Sequence, residues 1–173
     1  MSALLDNAIA SISIGVEDYA REESNRAQSA IRNFYSGVLL LAKEVLVRAA
    51  PTAAMEDILA ERYRPKPNGT GGVKYVPDGK KTVDFNTLGE RFRDFSLDLD
   101  QKALKGLNQI RNDIEHKYTT EPSDAVREAI ARAFPVVADL FRLLEMSPAE
   151  VLGETWQQML ETRHLCKRLI LAA

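Results

Sequence analysis

Disulfides are the first thing this chain lacks: Cys166 is its single cysteine in 173 residues, so no internal bridge can form and a reducing compartment is expected. Long apolar runs are also missing. The longest, Val38-Leu39-Leu40-Leu41-Ala42, is followed at once by Lys43 and Glu44, far short of the roughly 18–20 residues that span a bilayer. The start, Met1-Ser2-Ala3-Leu4-Leu5-Asp6, has neither the basic region nor the apolar stretch of a secretory signal, so a cytoplasmic protein with no membrane partner is the expectation. An excess of positive charge is absent too, with 23 Lys and Arg against 25 Asp and Glu and a formal charge of −2. Proteins that track nucleic acid over a long surface are usually basic, because phosphate neutralisation supplies most of their affinity. That balance disfavours a dedicated high-affinity nucleic-acid binder but leaves room for an enzyme that grips a few phosphates in a local cleft. No serine, cysteine or lysine stands in a nucleophile arrangement. His164 and Cys166 have no partner pair at metal-ligand spacing, so no metal and no cofactor are expected. Gly69-Thr70-Gly71-Gly72 lacks the strand and helix that frame a phosphate-binding loop and reads as a flexible segment.

What the chain does contain is helix-forming pattern, in an apolar content of 45% that suits one domain over 1–173. Residues 3–20 form the first expected helix. A second, capped by Ser24, runs to about Ala50 with Ala27, Ile31, Phe34, Val38, Leu41 and Val45 in alternating steps of four and three. Leu39, Ala42 and Leu46 widen that stripe, so this helix belongs in the middle of a bundle or is shared with a second subunit. A short helix through Met55, Ile58 and Leu59 follows Pro51. Residues 65–86 read as an insertion: a loop over 65–72, then a small hairpin pairing Lys74-Tyr75-Val76 with Thr82-Val83-Asp84-Phe85. Asn86 is the expected cap of a helix carrying Leu88, Phe92 and Phe95, and Asp100 that of a helix ending near Tyr118. Ser123 caps a helix to about Glu145, with a kink near Pro135. Ser147-Pro148-Ala149-Glu150 opens a further C-terminal helix over 148–171. Trp156, Met159, Leu160 and Leu169 are read as its packing positions. The expected class is all-α, a helical bundle with an inserted loop and hairpin.

The chemistry is concentrated in Arg111-Asn112-Asp113-Ile114-Glu115-His116. At 100° per residue, Leu104, Leu107, Ile110 and Ile114 make the buried stripe of this helix, and Asn112 and His116 share another face one turn apart. Arg111 and His116 lie about 140° apart, too far for one straight helix to aim both at one point. Two copies facing each other across a two-fold axis would bring the same patch in twice and close the gap. Asp113 and Glu115 read as solubilising or ion-pairing groups that can also raise the pKa of His116.

Arg111-x4-His116, with polar Asn112 directly after the arginine, on a helix of an all-α chain, resembles the signature of the HEPN family, an arginine and a histidine four to six residues apart. The helical pattern agrees over 1–145 and the motif over 111–118. The resemblance implies a small helical bundle that dimerises, through the motif helix and the long second helix. It also implies a metal-independent endoribonuclease of toxin–antitoxin, CRISPR-linked or phage-defence systems, with Arg111, His116 and Asn112 as site residues and RNA as substrate. The longer string Arg-x4-His-x-Tyr is similar to HEPN toxins paired with nucleotidyltransferase antitoxins, which implies Tyr118 as a site of silencing adenylylation. On the wheel Tyr118 also lies near the apolar stripe, where it would simply pack.

A second group is basic. Arg62, Arg64, Lys66, Lys74, Lys80 and Lys81 occur in one stretch opposed mainly by Asp78, with Tyr63 and Tyr75 interleaved. Such a segment is either a solvated loop or a guide for single-stranded RNA through phosphate contact and base stacking. The other function class open to the chain is a non-catalytic HEPN-like module that binds RNA, a nucleotide or a partner protein.

Overall fold

A computed structural model of the chain describes residues 2–21, 23, 26–100, 108, 109, 112 and 122–172. Within them the order is α1 (Ala3–Ala20), α2 (Ala27–Ala49), α3 (Met55–Leu59), β1 (Tyr63–Pro67), β2 (Val73–Pro77), α4 (Phe85–Asp94), α5 (Pro122–Leu143), α6 (Pro148–Leu152) and α7 (Glu154–Ala172). The fold is mostly helical with one small antiparallel sheet, as the periodicity predicts.

α2 is the hub. All six stripe residues from Ala27 to Val45 are buried, as are Ala42 and Leu46, while Leu39 is half-buried. Its apolar face is used up within the protomer against α1, α3, α4 and α5. The residues it leaves exposed include Gln28, Ser29, Arg32 and Ser36. α1 lies directly on it. A Cβ built on Gly15 would stand 2.5 Å from the backbone nitrogen of Phe34, and one on Gly37 would stand 2.6 Å from that of Ile12. The two helices therefore touch backbone to backbone, which only glycine at both positions permits. Ser2 fixes the start of α1: its hydroxyl accepts from the Leu5 N–H at 3.1 Å and donates to Glu44 Oε2 at 2.7 Å. Buried Glu44 is further satisfied by Arg48 at 2.8 Å.

α5 and α7 close the other side. Trp156 stacks on Phe134 with ring centroids 4.4 Å apart, and the Arg163 guanidinium lies 4.6 Å from the Phe134 centroid. Thr155 donates to Ser13 at 3.0 Å and ties α7 to α1. Met159 is buried and Leu160 half-buried. Among the described residues no helix is long and apolar enough to cross a membrane.

Several local expectations are corrected. The hairpin pairs β1 with β2, Arg64 opposite Val76 and Lys66 opposite Lys74, so residues 65–67 of the expected 65–72 loop are strand and Thr82–Phe85 is not its second arm. Thr82 instead bridges Ala60, and the chain turns over at 68–72, where Asn68 Oδ1 accepts from the Thr70 and Gly72 N–H groups. Pro65 and Pro67 disguise β1 as a loop. They are tolerated because both fall at pairs that exchange no hydrogen bonds, the bonded positions being Arg62, Asn68 and their even-numbered neighbours. α4 is capped by Asp84 rather than Asn86, and α5 begins at Pro122, so Ser123 lies inside it. α5 runs on through Pro135, which lies on its exposed side. Ser147 is the predicted cap, but the helix it starts stops at Leu152 because Gly153 takes φ 53°, and α7 starts afresh. α2 starts after Arg26, and Ser24 lies outside the described residues.

Candidate functional site

The helix expected to carry the chemistry is described only at Asn108, Gln109 and Asn112, all three helical. Arg111, His116, Asp113, Glu115 and Tyr118 lie outside the described residues. Asn112 is exposed. Asn108, one turn earlier on the same face, donates from Nδ2 to Asn86 Oδ1 at 3.0 Å. That amide pair pins this stretch of helix to the first turn of α4.

The first turn of α4 is itself well determined. Asp84 Oδ1 accepts from the N–H of Asn86 and from both the N–H and hydroxyl of Thr87, each at 3.0 Å. These bonds, the Thr87 N–H first, hold the Asp84 carboxyl below its usual range against the opposing effect of partial burial. Behind it, Lys43 reaches out of the core of α2 and donates to the Thr82 hydroxyl at 2.8 Å. Burial pushes the Lys43 ammonium below its usual value, and the negative charge of Asp84 partly offsets that. The result is a polar seam from buried Lys43 through Thr82 and Asp84 to Asn86 and Asn108, with exposed Asn112 four residues beyond Asn108. Its amides can donate to phosphate oxygens or orient an imidazole.

The sequence does not single out Asn108 or Lys43, and it marks Asn86 only as a helix cap. For Asn108 a signal existed: positions 108, 112 and 116 are four apart and share one helical face. Asn86 and Lys43 carry no such mark, since their roles come from α2 and α4 meeting.

The six basic residues are separate from this seam in the fold. All are exposed, on or beside the β1–β2 hairpin. Arg64 faces Asp78 at 3.5 Å. Of the two interleaved tyrosines, Tyr63 is engaged: it donates to the Asp57 carbonyl at 2.6 Å and lies beneath Arg91, 5.0 Å from ring centroid to guanidinium carbon. Tyr75 is 69% exposed. His164 is exposed on α7 near half-buried Cys166, and among the described residues no three His, Cys, Asp or Glu side chains gather as a ligand set. A cleft of about 260 Å³ between α1 and α7, lined by Val16, Tyr19, Glu161, Thr162 and Leu165, brings no acid–base pair of this kind together. Comparisons with protein-family models, curated proteins and solved structures find no match to the chain.

Proposed function

We propose that the protein is a metal-independent endoribonuclease of HEPN type, acting as a toxin or phage-defence effector, with Arg111, His116 and Asn112 at its site. The carrying observation is the Arg111-Asn112-x3-His116 spacing in a mostly helical chain. The exposure of Asn112 and the anchoring of its face through Asn108 to Asn86 support it, because a catalytic face must be both open and held still.

In the proposed reaction the RNA 2′-oxygen attacks the adjacent phosphorus as its proton passes to a base. The bond from phosphorus to the 5′-oxygen breaks, and that oxygen takes a proton from an acid. The products are a 2′,3′-cyclic phosphate and a 5′-hydroxyl. His116 is suited to acid or base work near neutrality. Arg111 stays charged and can hold two phosphate oxygens at once, stabilising charge that develops in the transition state. Asn112 orients His116 or contacts phosphate. The angular separation of Arg111 and His116 is met by a homodimer in which each protomer supplies one of each to a shared cleft. The proposed contact runs through the motif helix and the long helix α2, whose Gln28, Ser29, Arg32 and Ser36 are exposed. Tyr118, two residues past His116, is the proposed point of control by a nucleotidyltransferase antitoxin, whose added nucleotide would fill the cleft with bulk and charge.

The test is cleavage of a mixed RNA pool in EDTA. Wild type should leave cyclic-phosphate ends, spare DNA and lose at least about a hundredfold in rate on His116→Ala. Binding of RNA without turnover would favour the non-catalytic module instead.

A further inference from the structure

Strand register sorts the hairpin into two unlike faces. Directly paired residues share a face, and neighbours along a strand alternate. Arg64, Lys66 and Lys74 therefore fall on one side, and Pro65, Pro67, Val73 and Tyr75 on the other. Both sides are open: Val73 is 61% and Tyr75 69% exposed. Lys66 and Lys74 stand directly opposite each other, a like-charge pair that weakens the hairpin. Among the described residues neither lysine forms an ion pair. Residues 62–81 hold six cations and one carboxylate, a formal +5 in a chain whose total is −2, leaving −7 for the rest. Positive charge is thus gathered on the arm and withdrawn from the helical body.

We propose that the β1–β2 hairpin is a binding arm for single-stranded nucleic acid, with Lys66 and Lys74 on successive phosphates and Tyr75 stacking on a base. An anion between the two lysines relieves their repulsion. Adjacent Lys74 and Tyr75 point to opposite faces of a thin ribbon, so a strand crossing the β2 edge meets a cation with its phosphate and a ring with its base. A duplex can satisfy the lysines but not Tyr75, because its base faces are already stacked on one another. Pro65 and Pro67 leave the β1 edge without N–H donors at those positions, so outward backbone N–H donors are left to the β2 edge at Val73 and Tyr75. Arg64, partly neutralised by Asp78, and Tyr63, engaged at the root of the arm, contribute less. The proposal takes from the nuclease reading only the expectation that the natural strand is RNA.

Binding of a fluorescein-labelled oligothymidylate of about 16 nucleotides, single-stranded or paired with its complement, tests the arm by anisotropy in EDTA. DNA lacks the attacking hydroxyl, so cleavage by Arg111 and His116 cannot disturb the measurement. Single strand should bind more tightly than duplex. Tyr75→Ala should weaken the single strand about tenfold and leave the duplex unchanged, and Tyr75→Phe should restore binding. Lys66→Gln with Lys74→Gln should lower the slope of log affinity against log salt by about 1.4. Far-UV circular dichroism checks that the helices are intact in each variant. Equal or tighter duplex binding, or indifference to Tyr75→Ala or to loss of the lysines, overturns the proposal. An inert arm on a protein that cuts RNA would leave the nuclease reading standing, and a binding arm on a protein that cuts nothing would leave the arm standing.

Discussion

Asp84 and Lys43 meet at the seam where α2 and α4 join, and both give up their proton more readily in the fold than in the unfolded chain, so both stabilise the fold more as pH rises, in different pH windows. Asp84→Ala removes the cap of α4 and should cost about 1 kcal/mol in urea unfolding at neutral pH. Hydrogen bonds lower the carboxyl's pKa in the fold, so its contribution is complete above the ordinary value of 3.8. It is lost as the pH falls through the lower folded value, and the gap between wild type and variant should shrink there. Lys43 is lowered by burial, so the unfolded chain binds its proton more tightly than the fold does. Wild-type stability relative to Lys43→Met should therefore rise as pH climbs through the folded pKa towards 10.5, the ordinary value. Urea midpoints of both proteins at pH 7 and pH 10 give the difference. A gap that stays constant would mean that Lys43 is solvated.

At the scale of elements, the crossing of α1 on α2 sets the tightest tolerance. Gly15→Ala and Gly37→Ala each place a methyl against backbone atoms that cannot move aside, and each should cost at least about 1–3 kcal/mol by thermal or urea unfolding. The ends of α4 and α5 are relaxed in the other direction. Ser96 and Glu145 take φ 54° and 56°, with the Leu97 N–H bonded to the Phe92 carbonyl and the Met146 N–H to that of Phe141. These are helix stops of the kind glycine favours, so Ser96→Gly and Glu145→Gly should each stabilise by about 0.5 kcal/mol. The same elements show what was legible beforehand. The α2 stripe and the limits of α1 and α3 follow from local pattern, because burial on one face leaves a 3.6-residue period in the chain. β1 does not, because a strand containing Pro65 and Pro67 is permitted only by the pairing partner it finds. Nor does the break at Gly153, where Glu154 and the residues after it continue a helical pattern. Asn86 has the residue type of a cap, but Asp84, two residues earlier, bonds the exposed N–H groups, and the pairing of Asn86 with Asn108 depends on two helices meeting.

At the scale of the molecule, a body of formal charge −7 carries an arm of +5, while the candidate chemistry falls in the stretch of chain between α4 and α5. Sequence singles out that candidate because an arginine, an amide and a histidine within six positions are chemically distinctive. It could not place the supporting seam, which comes from tertiary contact. Arg111 and His116 from two copies are proposed to form one ribonuclease site, and mixing inactive variants is the sharpest test of it. Arg111→Ala and His116→Ala should each fail to cut RNA in EDTA, while the two refolded together should regain cleavage, because a mixed dimer retains one intact arginine and one intact histidine facing each other. A mixture as silent as either parent, beside a wild type that cuts, would contradict the shared site; a wild type that cuts no RNA would contradict the ribonuclease itself.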